Sequence, residues 1–154
     1  MKGTPLRERN DEFGVEIVEE KWNTYELEDG ARVRARPIFV KVLWPKDVEK
    51  VTTGKNIDFR GSFQTVITTI IDKELEGEPT LPLPSFTEAG KMKTTNMRVV
   101  KSEEHWNTYE LPGGRGRLKL KMVVANVVKV DGKFDENGCP FYLVNSSFVV
   151  APAL

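Results

Sequence analysis

A chain of 154 residues with 23 basic and 23 acidic side chains has no formal net charge, so it lacks the global positive field that draws proteins to polyanions. Its 39% of apolar and aromatic residues and 30% of charged ones suit a folded soluble chain, either one compact domain or two small packed subdomains. The single Cys139 excludes an internal disulfide, and with the single His105 it excludes a zinc site of nitrogen and sulfur ligands within one chain.

Residues 1–12 mix bases with acids and hold no apolar core, unlike a signal or transit peptide, and read as a charged N-terminal arm. Nowhere does an apolar run approach the roughly 20 residues of a membrane-spanning helix. A cytoplasmic protein without membrane contact is expected, in keeping with the lone thiol. The chain then states one stretch twice. Glu19 to Leu27 (EEKWNTYEL) returns as Glu103 to Leu111 (EEHWNTYEL), with His105 in the place of Lys21. A first β-repeat over 13–72 and a second over 97–154 follow, joined by a crossover at 73–96. Pro79, Pro82 and Pro84 keep that crossover out of helix and ladder, and Leu81, Leu83 and Phe86 are expected to hold it against the surface.

Each repeat opens on a hairpin. In the first, Glu28-Asp29-Gly30 separates two alternating segments. A two-residue turn would set Glu26 opposite Val33 and Leu27 opposite Arg32, mixing polar with apolar. A three-residue loop with Gly30 in the left-handed region pairs Tyr25 with Val33 and Glu26 with Arg32, and sorts one apolar face from one ionic face. The second repeat has one residue more, and a loop over Pro112 to Arg115 keeps Tyr109 opposite Leu118 and Glu110 opposite Arg117.

Downstream, the apolar runs Pro37–Trp44 and Met122–Val130 predict long strands, buried on both faces or bending between two sheets. Asp131-Gly132 marks a turn, Asp135–Gly138 a loop and Phe141–Val150 a closing strand whose counterpart is Ile57–Ile67. Helix is signalled only as a turn over Pro45–Val51. The fold class expected is mainly β: an internal tandem duplication of a small antiparallel unit. Its halves would form paired small barrels, or one barrel that both complete, about a pseudo-twofold axis.

The register assembles a candidate interaction surface. Trp22 shares a face with Arg32, Arg34 and Arg36, and Trp106 with Arg117, Lys119 and Lys121. An aromatic ring beside a row of cations is able to stack on bases or hold an anion. The plainer account is that Glu26–Arg32 and Glu110–Arg117 are cross-strand pairs on a solvated face, with the tryptophans packed between the halves or against a second chain. Other chemistries find little support. Glu19-Glu20 and Glu103-Glu104 are neighbours on strands, point to opposite faces and read as solvated strand starts. His105 has no nucleophile motif around it and reads as an exposed strand-edge residue; Cys139 has no neighbour that would lower its pKa. Lys133 to Val144 fails as a calcium loop, because Lys133 and Val144 stand where the outer acids belong. Asn145-Ser146-Ser147 sits in a strand, Gly113 to Arg117 reads as a hairpin loop, and no phosphate-cradling glycine loop or dinucleotide fingerprint occurs.

The function expected is a non-catalytic module for protein interaction or self-assembly, its partner a protein or a second copy, with no cofactor. The alternative is a small-barrel nucleic-acid-binding protein using the two basic strips.

Overall fold

The computed structural model describes residues 10–45 and 60–153, a mainly β chain folded into two antiparallel sheets. The first hairpin joins β3 (Asn23–Leu27) to β4 (Arg32–Pro45) in the register that sorts the two faces: Tyr25 lies opposite Val33 and Glu26 opposite Arg32. The Leu27 amide donates to the Ala31 carbonyl at 2.8 Å, and Gly30 takes φ +92°, closing a three-residue loop that a side chain would strain. In the second hairpin, β8 (Asn107–Leu111) meets β9 (Gly116–Phe134), with Tyr109 opposite Leu118 and Glu110 opposite Arg117. The extra residue is taken up in the loop, where Gly113 and Gly114 sit at φ +71° and +70°.

Six further strands complete the sheets: β1 (Asn10–Gly14), β2 (Glu16–Glu19), β5 (Arg60–Ile70), β6 (Thr94–Met97), β7 (Val99–Glu103) and β10 (Pro140–Pro152). Strand β4 carries β3 on its first residues, β1 on its last, and β5 along the opposite edge. Strand β9 does the same with β8, β6 and β10. The outermost partners are exchanged. β7, from the second repeat, pairs with β3, while β2, from the first, pairs with β8. Both sheets therefore have one strand order, and each borrows a strand from the other half of the sequence. Among the described residues neither sheet closes on itself, so the barrels expected from the sequence give way to two open five-stranded sheets.

The apolar side chains form two cores, and each long strand serves both. β4 sends Val33 and Ala35 into one core and Phe39 and Val42 into the other. β9 sends Leu118 and Leu120 into the second, then Met122 and Val127 into the first. This crossing explains the near-continuous apolar runs: the strand bends between cores, so residues on successive stretches are buried against different partners. Neither half holds a complete core of its own.

Three expectations are corrected. Asp131-Gly132 is not a turn: β9 runs through it to Phe134, with Gly132 at φ +73° and the Asp131 amide donating to the Lys93 carbonyl at 3.0 Å. The crossover is not wholly extended. It holds a 3₁₀ turn at Lys73–Leu75 and a short helix, α1 (Phe86–Ala89), whose Ser85 and Glu88 form a capping box. Its large apolar residues anchor it only in part: Leu81 and Phe86 are 59% and 68% exposed, while Leu83 is half-buried and Leu75 packs against the first core. Backbone bonds hold it as well, from Gly77 N–H to the Gly138 carbonyl at 2.9 Å and from Thr80 N–H to the Phe134 carbonyl at 3.1 Å. Asp135–Gly138 forms the expected loop. Residues 1–9 of the N-terminal arm, the helical turn after Pro45 and the strand start before Arg60 lie outside the described residues, while Asn10 to Glu12 belong to β1.

Candidate interaction surface

The repeated stretch clasps the two halves together. Asn107 Oδ1 accepts from the Lys21 amide, and Asn23 Oδ1 accepts from the His105 amide, each at 2.9 Å and each across the repeat boundary. Glu20 Oε1 accepts from the Tyr109 hydroxyl at 2.8 Å, and Glu104 Oε2 from the Tyr25 hydroxyl at 2.7 Å and the Val124 amide at 3.3 Å. Burial, then the neighbouring carboxylate, pushes both phenols well above the ordinary tyrosine range. The solvated role expected for the paired acids is thus corrected for Glu20, whose side chain is 7% exposed, and for half-buried Glu104. Glu19 and Glu103 stay in solvent. His105, expected at an exposed edge, is half-buried, with Nε2 at 3.5 Å from Glu103.

The structure brings together most of the residues singled out for binding, and they largely satisfy one another. Half-buried Trp22 has the Arg34 and Arg36 guanidinium carbons 4.8 and 5.4 Å from its ring centre. Trp106, 37% exposed, has the Lys119 and Lys121 ammonium groups at 4.6 and 5.8 Å. Neither tryptophan joins the two cores, which corrects the expectation that they pack between the halves. Arg36 Nε lies 3.6 Å from Glu20 Oε2, an ion pair too long for a hydrogen bond, and the buried Nε has no other partner. Arg32 and Arg117 are exposed at the hairpin ends, opposite Glu26 and Glu110. The strips are therefore cations laid over the protein's own aromatics.

What sequence reasoning missed is the outer edge of β5. Among the described strands β5 pairs with β4 alone. Val66, Ile67 and Ile70 are each 42% exposed; since 66 and 67 point to opposite faces, the strand is bare on both. From Gly61 to Ile71 it carries no charge and no proline. Natural edges of this length are ordinarily blunted by one or the other, because unpaired amides and carbonyls template further strands. β5 and β10 flank a groove of about 550 Å³, lined in part by Ile67, Thr69, Ile71, Phe86 and Tyr142, and Phe63 stacks on Phe148 at 5.2 Å between these two strands. Beside it, burial and then Asp135 and Asp29 raise the Cys139 thiol to about 11, which keeps it protonated near neutrality.

Among the described residues no group of three or more His, Cys, Asp and Glu side chains is placed to hold a metal, and no helix is long and apolar enough to cross a membrane. No family model, no curated protein and no solved structure matches this chain.

Proposed function

We propose that the chain is a tandemly duplicated, non-catalytic β-module that associates with protein by accepting a strand on the free edge of β5. The carrying observation is that edge: uncharged from Gly61 to Ile70, proline-free and exposed on both faces. Main-chain hydrogen bonds would supply affinity, and the alternating Val66, Ile67 and Ile70 side chains would supply contact area. The duplication is supported by the repeated stretch and the common strand order, and its conserved-looking residues are occupied in joining the halves. A labelled, lysine-flanked peptide carrying the Gly61–Ile71 sequence serves as a strand probe. Saturable binding by fluorescence anisotropy is expected, with at least tenfold weaker binding to a Thr68→Pro variant, whose ring would crowd an incoming strand. No binding at high protein concentration would sink the reading.

Nucleic-acid binding through the basic strips is favoured only by the exposure of Trp106, and Lys119 and Lys121 already lie over that ring. No mobility shift of single-stranded nucleic acid is expected even at low salt. A shift lost on Lys119→Glu would reverse that ranking.

A further inference from the structure

We infer that the strand β5 accepts is β5 of a second copy of this chain, paired antiparallel about a twofold axis at Ile67, joining two first sheets into one continuous sheet. This rests on the edge reading proposed above and names the partner.

Other outer strands are defended where β5 is not. β1 and β6 are only five and four residues long, β2 carries Glu16 and Glu19, and β7 carries Lys101 and Glu103. β10 starts and ends on proline, and its register with β9 shifts at Pro140/Tyr142 and again at Asn145/Ser146. Between Phe63 and Ile70, by contrast, β5 stays in unbroken register with β4. Such a ladder presents a regular row of outward amides and carbonyls.

The side-chain pattern selects a second copy over an unrelated strand. In a symmetric antiparallel pair, residues equally distant from the axis face each other on one side of the sheet. Every second residue across this region reads Phe63, Thr65, Ile67, Thr69, Ile71, a palindrome in polarity about Ile67. Pairing there sets Ile67 against Ile67, Thr65 against Thr69 and Phe63 against Ile71 just past the strand end, matching apolar with apolar and hydroxyl with hydroxyl on that face. The opposite face sets Val66 against Thr68 and Gln64 against Ile70. An axis at Val66 would set Thr65 against Ile67 and Phe63 against Thr69, and lose the match. With no charge on the strand beyond Arg60 at its start and no formal net charge on the chain, two copies also meet without repulsion around Ile67.

Sedimentation velocity over a wide concentration range is the test, on the full chain. The wild type is expected to be a dimer whose self-association weakens at least tenfold in Ile67→Lys, which would set two ammonium groups against each other at the axis. Circular dichroism should hardly move, because the site is exposed, and the variant's thermal midpoint should match that of the wild type diluted to monomer. In a Cys139→Ser background, Ile67→Cys should oxidise to a disulfide dimer, since antiparallel partners lie about 4.5–5.5 Å apart at Cα, within disulfide range. A wild type that stays monomeric throughout overturns the inference. So does a dimer that neither Ile67→Lys weakens nor Ile67→Cys cross-links. A monomer that still captures the strand peptide defeats the second-copy inference and leaves the edge reading standing; a monomer that captures nothing defeats both.

Discussion

Above about pH 10 the protein should lose stability steeply, and Tyr25 and Tyr109 should be the cause. Both rings are buried, at 2% and 0% exposure, and each hydroxyl donates to a carboxylate of the opposite repeat. Ionising either phenol would place an anion in the core beside Glu104 or Glu20, so the folded protein holds both protons well past the ordinary range. The unfolded chain releases its phenolic protons near pH 10. A group whose folded pKa is raised contributes stability that is whole below the unfolded pKa and is lost as pH climbs toward the folded one. Each retained proton costs about 1.4 kcal/mol per pH unit in that window, so the two together cost about 3 kcal/mol per unit, and half-buried Tyr142, raised by burial and by its 2.6 Å hydrogen bond to Asp29, adds to the loss. Two units would remove about 6 kcal/mol, a large part of a typical total of roughly 5–15 kcal/mol. Cys139 adds a smaller loss that begins lower, because its thiol is held up to about 11 against an ordinary value near 8.5. Urea midpoints measured from pH 8 to 11 should fall sharply beyond 10, while tyrosinate absorbance of the folded protein lags behind that of a free phenol. A Tyr25→Phe, Tyr109→Phe double variant should flatten the slope above pH 10. Phenols that titrate near 10 without unfolding would refute this account of the clasp.

The hairpins could be read from the sequence because one register sorts Tyr25 and Val33 from Glu26 and Arg32, and no neighbouring register does. The same contrast located the inserted residue in the second loop. Strand exchange could not be read. β2 and β7 are short and charged, and the nearly identical stretches that follow offer two equivalent partners, so nothing local tells Glu16–Glu19 to join β8. The burial of Glu20 and Glu104 was hidden for the same reason: a charged residue defaults to solvent, and the tyrosine that satisfies each lies in the other repeat. The tryptophans were placed on the right face beside the right cations, but that the cations lie 4.6 and 4.8 Å over the rings is a property of the folded sheet. The stretch Ile57–Ile67 read as a strand and β5 carries on to Ile70, but whether its outer side meets another strand is a property of the whole sheet.

Equal sequence does not make the two clasps equal in energy, and truncating their asparagines should separate them. Asn23 is 1% exposed and fully engaged: Oδ1 accepts from the His105 amide, and Nδ2 donates to the Met122 carbonyl at 3.0 Å and the Tyr25 oxygen at 3.2 Å. Asn107, at 0% exposure, accepts from the Lys21 amide, but its Nδ2 has no carbonyl partner and only a poor contact with the Tyr109 hydroxyl. Asn23→Ala strands an amide and a carbonyl and leaves a small void, at about 1–3 kcal/mol per stranded group, so a loss of about 4 kcal/mol is expected. Asn107→Ala strands one amide but also removes a buried donor that was poorly satisfied, and the two effects oppose each other, leaving a loss of about 1 kcal/mol. Urea unfolding of the two variants checks the difference directly, and equal losses would mean that the clasps are energetically equivalent. The difference has a structural origin in the partner strands. Met122 turns its carbonyl to Asn23 where β9 crosses from the second core to the first, whereas the equivalent bend of β4 offers Pro37, whose carbonyl lies 3.4 Å from the Tyr109 hydroxyl. The second clasp is thus the weaker of the two, and the β2–β8 edge it anchors should open first when the protein is stressed.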